Sequence, residues 1–192
     1  MTVAEQIHRS CTGCLGSVGM GRLRGWWIAL VLLVACGRSV DLQTLQTTGR
    51  CLNCQLRGAP LAGQMLKGVI LTGSNLAGAD LQQAVLTEAD LRRVNLRGAD
   101  LRGANLEGAN LGEADLMGAN LQGANLRQAN LFRAHLRQAN LQGADLRQAV
   151  LFGADLRETQ LTQADLVGAN YSDATQFPPG FDPVGQLMER VK

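Results

Sequence analysis

A solenoid, a chain wound into stacked coils, is the fold class that the sequence predicts, and three observations predict it. From Leu56 to Leu166 every fifth residue is aliphatic, through Leu61, Leu66 and Leu71 and onward without a miss. Two positions before most of them sits a small residue, usually Ala, as at Ala79, Ala99, Ala119 and Ala139. One position before sits Asp or Asn in most repeats. A period of five suits neither regular element. On an α-helix successive leucines would advance by a net turn of about 140° and form no apolar stripe. On a flat strand an odd period would send neighbouring leucines to opposite faces. The leucines share one core only if the backbone bends once in every pentad, and a chain that bends the same way at each repeat winds up on itself.

The pattern A(D/N)LXX is seen in Ala99-Asp100-Leu101-Arg102-Gly103 and Ala119-Asn120-Leu121-Gln122-Gly123. It resembles the pentapeptide-repeat family over roughly residues 54–175. The resemblance implies an all-β fold, a right-handed quadrilateral β-helix with four pentads per coil. The central Leu and the small residue two before it would point inward, and the other three outward. Coils stacked at roughly 4.8 Å would make about six layers and a rod near 30 Å. Each buried Leu would contribute about 1.5–3 kcal/mol. Cys54, Gln64, Val69, Ser74, Val94 and Thr159 replace Ala, and Gln64, Met65 and Ile70 make the first coil the least regular. Terminal repeats of solenoids are often atypical.

Before the repeats, Met20 to Cys36 reads MGRLRGWWIALVLLVAC. Arg22 and Arg24 form a basic start, and Trp26 to Ala35 is an apolar run shorter than the ~20 residues that span a bilayer as a helix. Residues 1–36 therefore read as an export leader whose signal begins at Met20. Leu33-Val34-Ala35-Cys36 resembles a bacterial lipobox, in which Cys36 would be lipidated and become the first mature residue. The alternatives are an ordinary signal peptide or a short uncleaved anchor. Residues 1–19, with Cys11 and Cys14, would be either upstream sequence or a long basic region removed with the leader. The whole chain is formally +2, with 18 basic and 16 acidic residues. Setting aside Arg9, Arg22, Arg24 and Glu5 leaves 15 of each, so the mature surface is balanced and gives no sign of a nucleic-acid partner.

Caps are expected at both ends, because an open solenoid end exposes leucines and unpaired backbone. Residues 37–53 form the N-terminal cap, with one or two helical turns expected over Asp41–Gln46. Residues 176–192 form the C-terminal cap, in which Phe177 and Phe181 plug the end and a short helix follows around Val184–Arg190. The FPPGFDP tail is similar to tails of pentapeptide proteins from photosynthetic bacteria. Counting back in fives, Cys51 takes a Leu position and Cys54 an Ala position, so both are expected inside, as small core residues or as a disulfide in an oxidising compartment. A thioredoxin-like site needs a helix start beside a βαβ unit, which the pattern lacks. A zinc site needs two more ligands, and neither His8 nor His135 is placed to supply one.

No catalytic constellation, metal set or cofactor motif is apparent, and His135 reads as a surface substitution in the outward Asp/Asn position. Phe132 and Phe152 lie 20 residues apart, each just after a central Leu. Four pentads per coil would stack them on one face, with Arg127, Arg133, Arg137, Arg147 and Arg157 around them. Exposed aromatics with Arg are enriched at interface hot spots, so this half is expected to be a protein-docking face. The chain is thus expected to be a non-enzymatic exported scaffold or protein-binding module, periplasmic or thylakoid-lumenal, with a lipid anchor at Cys36. Two other readings remain. One is a cytoplasmic DNA-mimicking regulator of DNA gyrase, although the relatives that act so are acidic, with Phe often at the central position. The other is a redox protein using Cys51 and Cys54.

Overall fold

Until the C-terminal end, each pentad returns to lie directly over the one 20 residues earlier. The structure, a computed structural model, describes residues 38–191; the leader, including Cys36, lies outside them. Parallel bridges link Arg50 to Ile70, Ile70 to Asp90, Asp90 to Asn110, and so on through Asn130 and Val150 to Asn170. Three further columns of the same kind run through Gln55, Pro60 and Met65. One circuit therefore takes four pentads, and the coil has four sides.

Backbone chemistry explains the repeat. In the pentad Ala99–Gly103 all five N–H groups are satisfied, as buried polar groups must be. Ala99 N–H closes a turn onto the Leu96 carbonyl at 3.0 Å, Asp100 N–H donates to Ala79 of the preceding coil, and Leu101 and Gly103 donate to Asn120 and Gln122 of the following coil. The fifth, Arg102 N–H, donates to the side chain of Asp100, Oδ1, at 3.2 Å. That bond is an Asx turn, which only Asp or Asn makes well. It recurs as Ala77 to Asn75, Glu107 to Asn105, Arg127 to Asn125 and Val167 to Asp165. The Asp/Asn preference is therefore a hydrogen-bond requirement of the corner. At each corner the residue two after Leu has φ near +60°, whether it is glycine or one of Asn53, Gln83, Glu88, Arg93, Glu113, Gln128, Arg133, Gln138, Gln148, Glu158 and Gln163. A positive φ at the third residue, closed by the bond across the turn, is the type II signature.

The leucines from Leu56 to Leu156 and the alanines facing them form the core, most of them fully buried. Because a turn follows every Leu, the ladder runs only one residue along each side. The expected all-β character accordingly appears as isolated bridges; among the described residues the strands are β1, Asn170–Tyr171, and β2, Glu189–Arg190, parallel to it.

The N-terminal end is closed by helix α1, Arg38–Thr48, longer than the one or two turns expected. Asp41 lies in its first turn, where a carboxylate suits the helix dipole. Gly49, at φ +64°, ends it with its N–H on the Leu45 carbonyl at 2.9 Å. Leu45 is buried against the end of the leucine column, and Leu42 packs beside it. No helix among the described residues is long and apolar enough to cross a membrane.

At the other end Tyr171 takes a leucine position, and the register slips by one, since Asp155 bridges Gln176. The Thr175 hydroxyl spans the slip, accepting from Gly153 N–H and donating to the Leu151 carbonyl. Phe177 stacks on Phe181 with ring centres 4.9 Å apart and meets Tyr171 edge-on at 5.6 Å. Both phenylalanines pack on the core. The short helix expected around Val184–Arg190 is not formed. Turns carry the chain past Pro183 and Gly185, and Glu189 and Val191 donate to Ala169 and Tyr171 of the last coil. A sheet edge that offers ready partners wins over a weak local helix preference.

Leu121 is 0% exposed. Leu121→Asp should abolish the cooperative melt, and Leu121→Ala should cost about 2–5 kcal/mol; a circular-dichroism melt unchanged by Leu121→Asp would contradict the inward assignment. The corner strain gives a second test. At Gly98, φ is +61° and a Cβ would meet nothing within 4 Å. Gly98→Ala should therefore cost about 1 kcal/mol from conformation alone, and Gln163→Gly, at φ +60° on an exposed corner, should recover a similar amount. Denaturant midpoints of the two variants should move in opposite directions.

Candidate functional sites

The outward positions fall into columns, one residue per coil. Arg92, Gly112, Phe132 and Phe152 form one such column, since Glu113 N–H donates to the Phe132 carbonyl and Arg133 N–H to that of Phe152. Phe132 is 37% exposed, with Gly112 beneath it offering no side chain, and Phe152 is half-buried. The Arg133 guanidinium lies 5.0 Å over the Phe132 ring, a cation–π contact. Along the adjoining corner Arg93 pairs with Glu113 at 2.9 Å, and Arg133 follows Glu113 in the same column.

The structure brings Phe132, Phe152 and Arg133 onto one side and separates the other arginines of the expected patch. Arg127 and Arg147 occupy the side before, and Arg137 and Arg157 the side after. Sequence proximity suggested a single cluster, but five residues along the chain is one corner around the coil. Most of these charges are also engaged. Arg147 forks onto Asp145, with Nε–Oδ1 at 2.8 Å, and reaches Asp165 at 3.4 Å. Arg157 forks onto Asp155 in the same way, and Arg137 pairs with Glu158. His135 points outward in its column between Asp115 and Asp155.

The fork recurs wherever the pentad reads Asp-Leu-Arg, as in Asp90–Arg92 and Asp100–Arg102. The hydrogen bond from the Arg two residues on is the main cause that holds Asp90, Asp100, Asp145 and Asp155 below the ordinary 3.8; partial burial opposes it. Glu113 and Glu158 are lowered chiefly by the side-chain bonds from Arg93 and Arg137.

A second cluster lies under α1. Cys51 and Cys54 are buried in the first turn and joined by a disulfide. Every regular corner carries a backbone bond from the Ala position to the preceding Leu. Here Cys54 N–H donates instead to Ser74 Oγ at 3.0 Å, and Ser74 Oγ donates to the Cys51 carbonyl at 2.6 Å. The turn is opened by a hydroxyl. Asp41 reaches down from α1, its Oδ2 accepting Gln55 N–H at 2.6 Å. The acidic and sulfur ligand atoms of Asp41, Cys51 and Cys54 lie within 4.8 Å of one another. Counting in fives could not find Asp41, which lies outside the repeat. It did mark Ser74 as a departure from Ala, one coil above Cys54, but assigned it no role.

Four pentads per circuit, leucine columns inside and Asx-capped corners outside define a pentapeptide solenoid. Residues 54–93, 95–131 and 129–168 match the family model described as pentapeptide repeats, in 8 copies, and the chain belongs to that family. Among solved structures it is similar to the pentapeptide repeat protein Rfr23 of the cyanobacterium Cyanothece 51142, with 30% identity over 72% of this chain and 98% of that one, at a TM-score of 0.47. It is similar also to alr5209 of Nostoc PCC 7120, with 39% identity over 58% and 84% of the two chains and a TM-score of 0.36. A thylakoid-lumen pentapeptide repeat protein of Arabidopsis thaliana is 30% identical over 59% and 68%, at 0.38. No curated protein matches the sequence.

The lowered carboxylates set an acid limit. A group whose pKa falls on folding stabilises the fold above its unfolded value, and that contribution is lost as pH drops through the folded value. The thermal midpoint should be flat between about pH 5 and 8 and fall below about pH 4. Asp145→Asn with Asp155→Asn should shallow the acid limb in a pH series of melts; an unchanged limb would mean the forks add nothing to stability.

Proposed function

We propose that this chain is an exported, non-catalytic protein-binding module, a right-handed quadrilateral β-helix of about six coils, held at a membrane by a lipid on Cys36. Family membership supports the non-catalytic reading, and the leader sequence supports export. The observation that carries the binding role is the exposed Phe132 ring with Arg133 over it, stacked in one column with the half-buried Phe152; the more exposed Met65, Leu52, Val167, Val184, Leu187 and Val191 are aliphatic and lack such a guanidinium contact. An exposed aromatic capped by a guanidinium combines apolar area with a directional donor, the combination enriched at interface hot spots. The engaged arginines of the neighbouring sides are better suited to a rim than to an anchor, since a paired surface charge contributes little to affinity. The docking face is therefore Phe132, Phe152 and Arg133, narrower than the seven-residue cluster expected.

The gyrase-regulator reading draws no support from the charge balance, which beyond the leader is 15 basic against 15 acidic residues. Phe132→Ser with Phe152→Ser should leave the melting temperature within a few degrees of the parent, since neither ring belongs to the core. The same variant should lose at least tenfold in partner recovery when tagged protein is pulled from the membrane fraction of native cells. Full retention of every partner by the folded variant would defeat the docking assignment.

A further inference from the structure

A disulfide staple needs two cysteines and nothing more, yet the Cys51–Cys54 site contains a third ligand group and an opened turn. We propose that, once its disulfide is reduced, Cys51 and Cys54 together with Asp41 form a three-ligand site for a thiophilic metal ion of the zinc class, at the N-terminal end of the coil stack.

The geometry carries the argument. The ligand atoms of the three residues already lie within 4.8 Å of one another. A tetrahedral zinc ion with bonds of about 2.3 Å to sulfur and 2.0 Å to oxygen wants its ligand atoms roughly 3.5 Å apart, so once reduction lets the two sulfurs part, side-chain movements alone bring them and the carboxylate to those separations. The spacing of the cysteines is that of the common zinc chelate, two residues between the sulfurs. Soft thiolates select zinc, cadmium or copper(I) over magnesium or calcium.

The surroundings orient the ligands as metal sites require. Gln55 N–H fixes one Asp41 carboxylate oxygen, Oδ2, leaving the carboxylate a second oxygen for the ion. Ser74, fully buried, holds both Cys54 N–H and the Cys51 carbonyl, so the turn keeps its opened form when the sulfur–sulfur bond is broken. Cys51 Sγ lies 3.2 Å from the Asp41 carbonyl oxygen, an acceptor for the thiol proton before the ion arrives. With three protein ligands, the fourth position is left to water or a small anion.

The chemistry balances. A dithiol gives two electrons and two protons to the Cys51–Cys54 bond, leaving two thiols and closing to its own cyclic disulfide. The ion then displaces the two thiol protons to solvent and is held by two thiolates and a carboxylate. Metal and disulfide thus exclude each other, and α1, which supplies Asp41, is tied to the coil in both states.

The test uses the full chain with Cys11→Ser, Cys14→Ser and Cys36→Ser, so that Cys51 and Cys54 are its only cysteines. It is reduced with a phosphine, freed of reductant without air and titrated with cobalt(II). One ion per chain is expected, with sulfur-to-cobalt charge transfer and tetrahedral d–d absorption; the air-oxidised protein should show neither. Asp41→Asn should weaken binding at least tenfold while leaving the circular dichroism of the oxidised protein unchanged. A reduced chain that keeps its fold and takes up no cobalt overturns the proposal. So does an Asp41→Asn variant that binds as tightly as its parent. If reduction unfolds the chain, recovery of the fold on adding zinc supports the site, and failure to recover overturns it.

Discussion

The structure depends on one constraint, that the backbone N–H groups must be paired while the chain turns a corner in each pentad. Four of the five are supplied by the turn itself and by the coils above and below. The fifth, on the residue after Leu, faces neither neighbour and, in the repeats that carry Asp or Asn, is met by that side chain two residues before it. Once that bond is made, the corner closes, and the central Leu is carried to the inside beside the Ala of the same coil. Burial of the leucine columns then supplies the driving force, but the corner decides where they point.

The departures from the repeat lie where this arrangement is strained or ends. Val85, Val150 and Met65 take the Asp/Asn position and offer no acceptor to the following N–H. Eleven corner residues keep a left-handed backbone without being glycine, a cost that the stacked ladder is able to hold. Their side chains do something that glycine could not. Arg93, Glu113 and Arg133 form one charged column, Gln128 bonds Gln148, and Gln138 bonds Glu158. The corners are thus both the weakest points of the backbone and the places where the surface acquires individuality. At the two ends hydroxyls take over the work of missing backbone bonds, Ser74 under α1 and Thr175 at the register slip. Each allows the regular coil to meet a cap that does not share its geometry.

The two candidate sites differ in how far pattern alone could reach them. The column of Phe132 and Phe152 follows from a spacing of 20 residues, and it is a column in the structure. The arginines near them in the chain do not gather around them, because each step of five turns a corner and adjacent repeats face different ways. Ion pairing then engages most of those that remain. The inward positions of Cys51 and Cys54 follow from register, but Asp41 does not, since α1 lies outside the repeat and is placed only by packing Leu45 on the end of the core.

The sequence by itself determined the coil. A strict period of five with a small residue, an Asx and a Leu leaves the backbone one repeating solution, so the local pattern and the global winding are one piece of information. Only the tertiary structure decided the ends and the surface. The segment around Val184–Arg190 joins the last coil because open backbone groups there outcompete a marginal helix. Which arginine meets which carboxylate depends on the coils above and below, 20 residues away in the chain. The meeting of Asp41, Cys51, Cys54 and Ser74 depends on a helix, a turn and the next coil arriving at one place, which no linear pattern encodes.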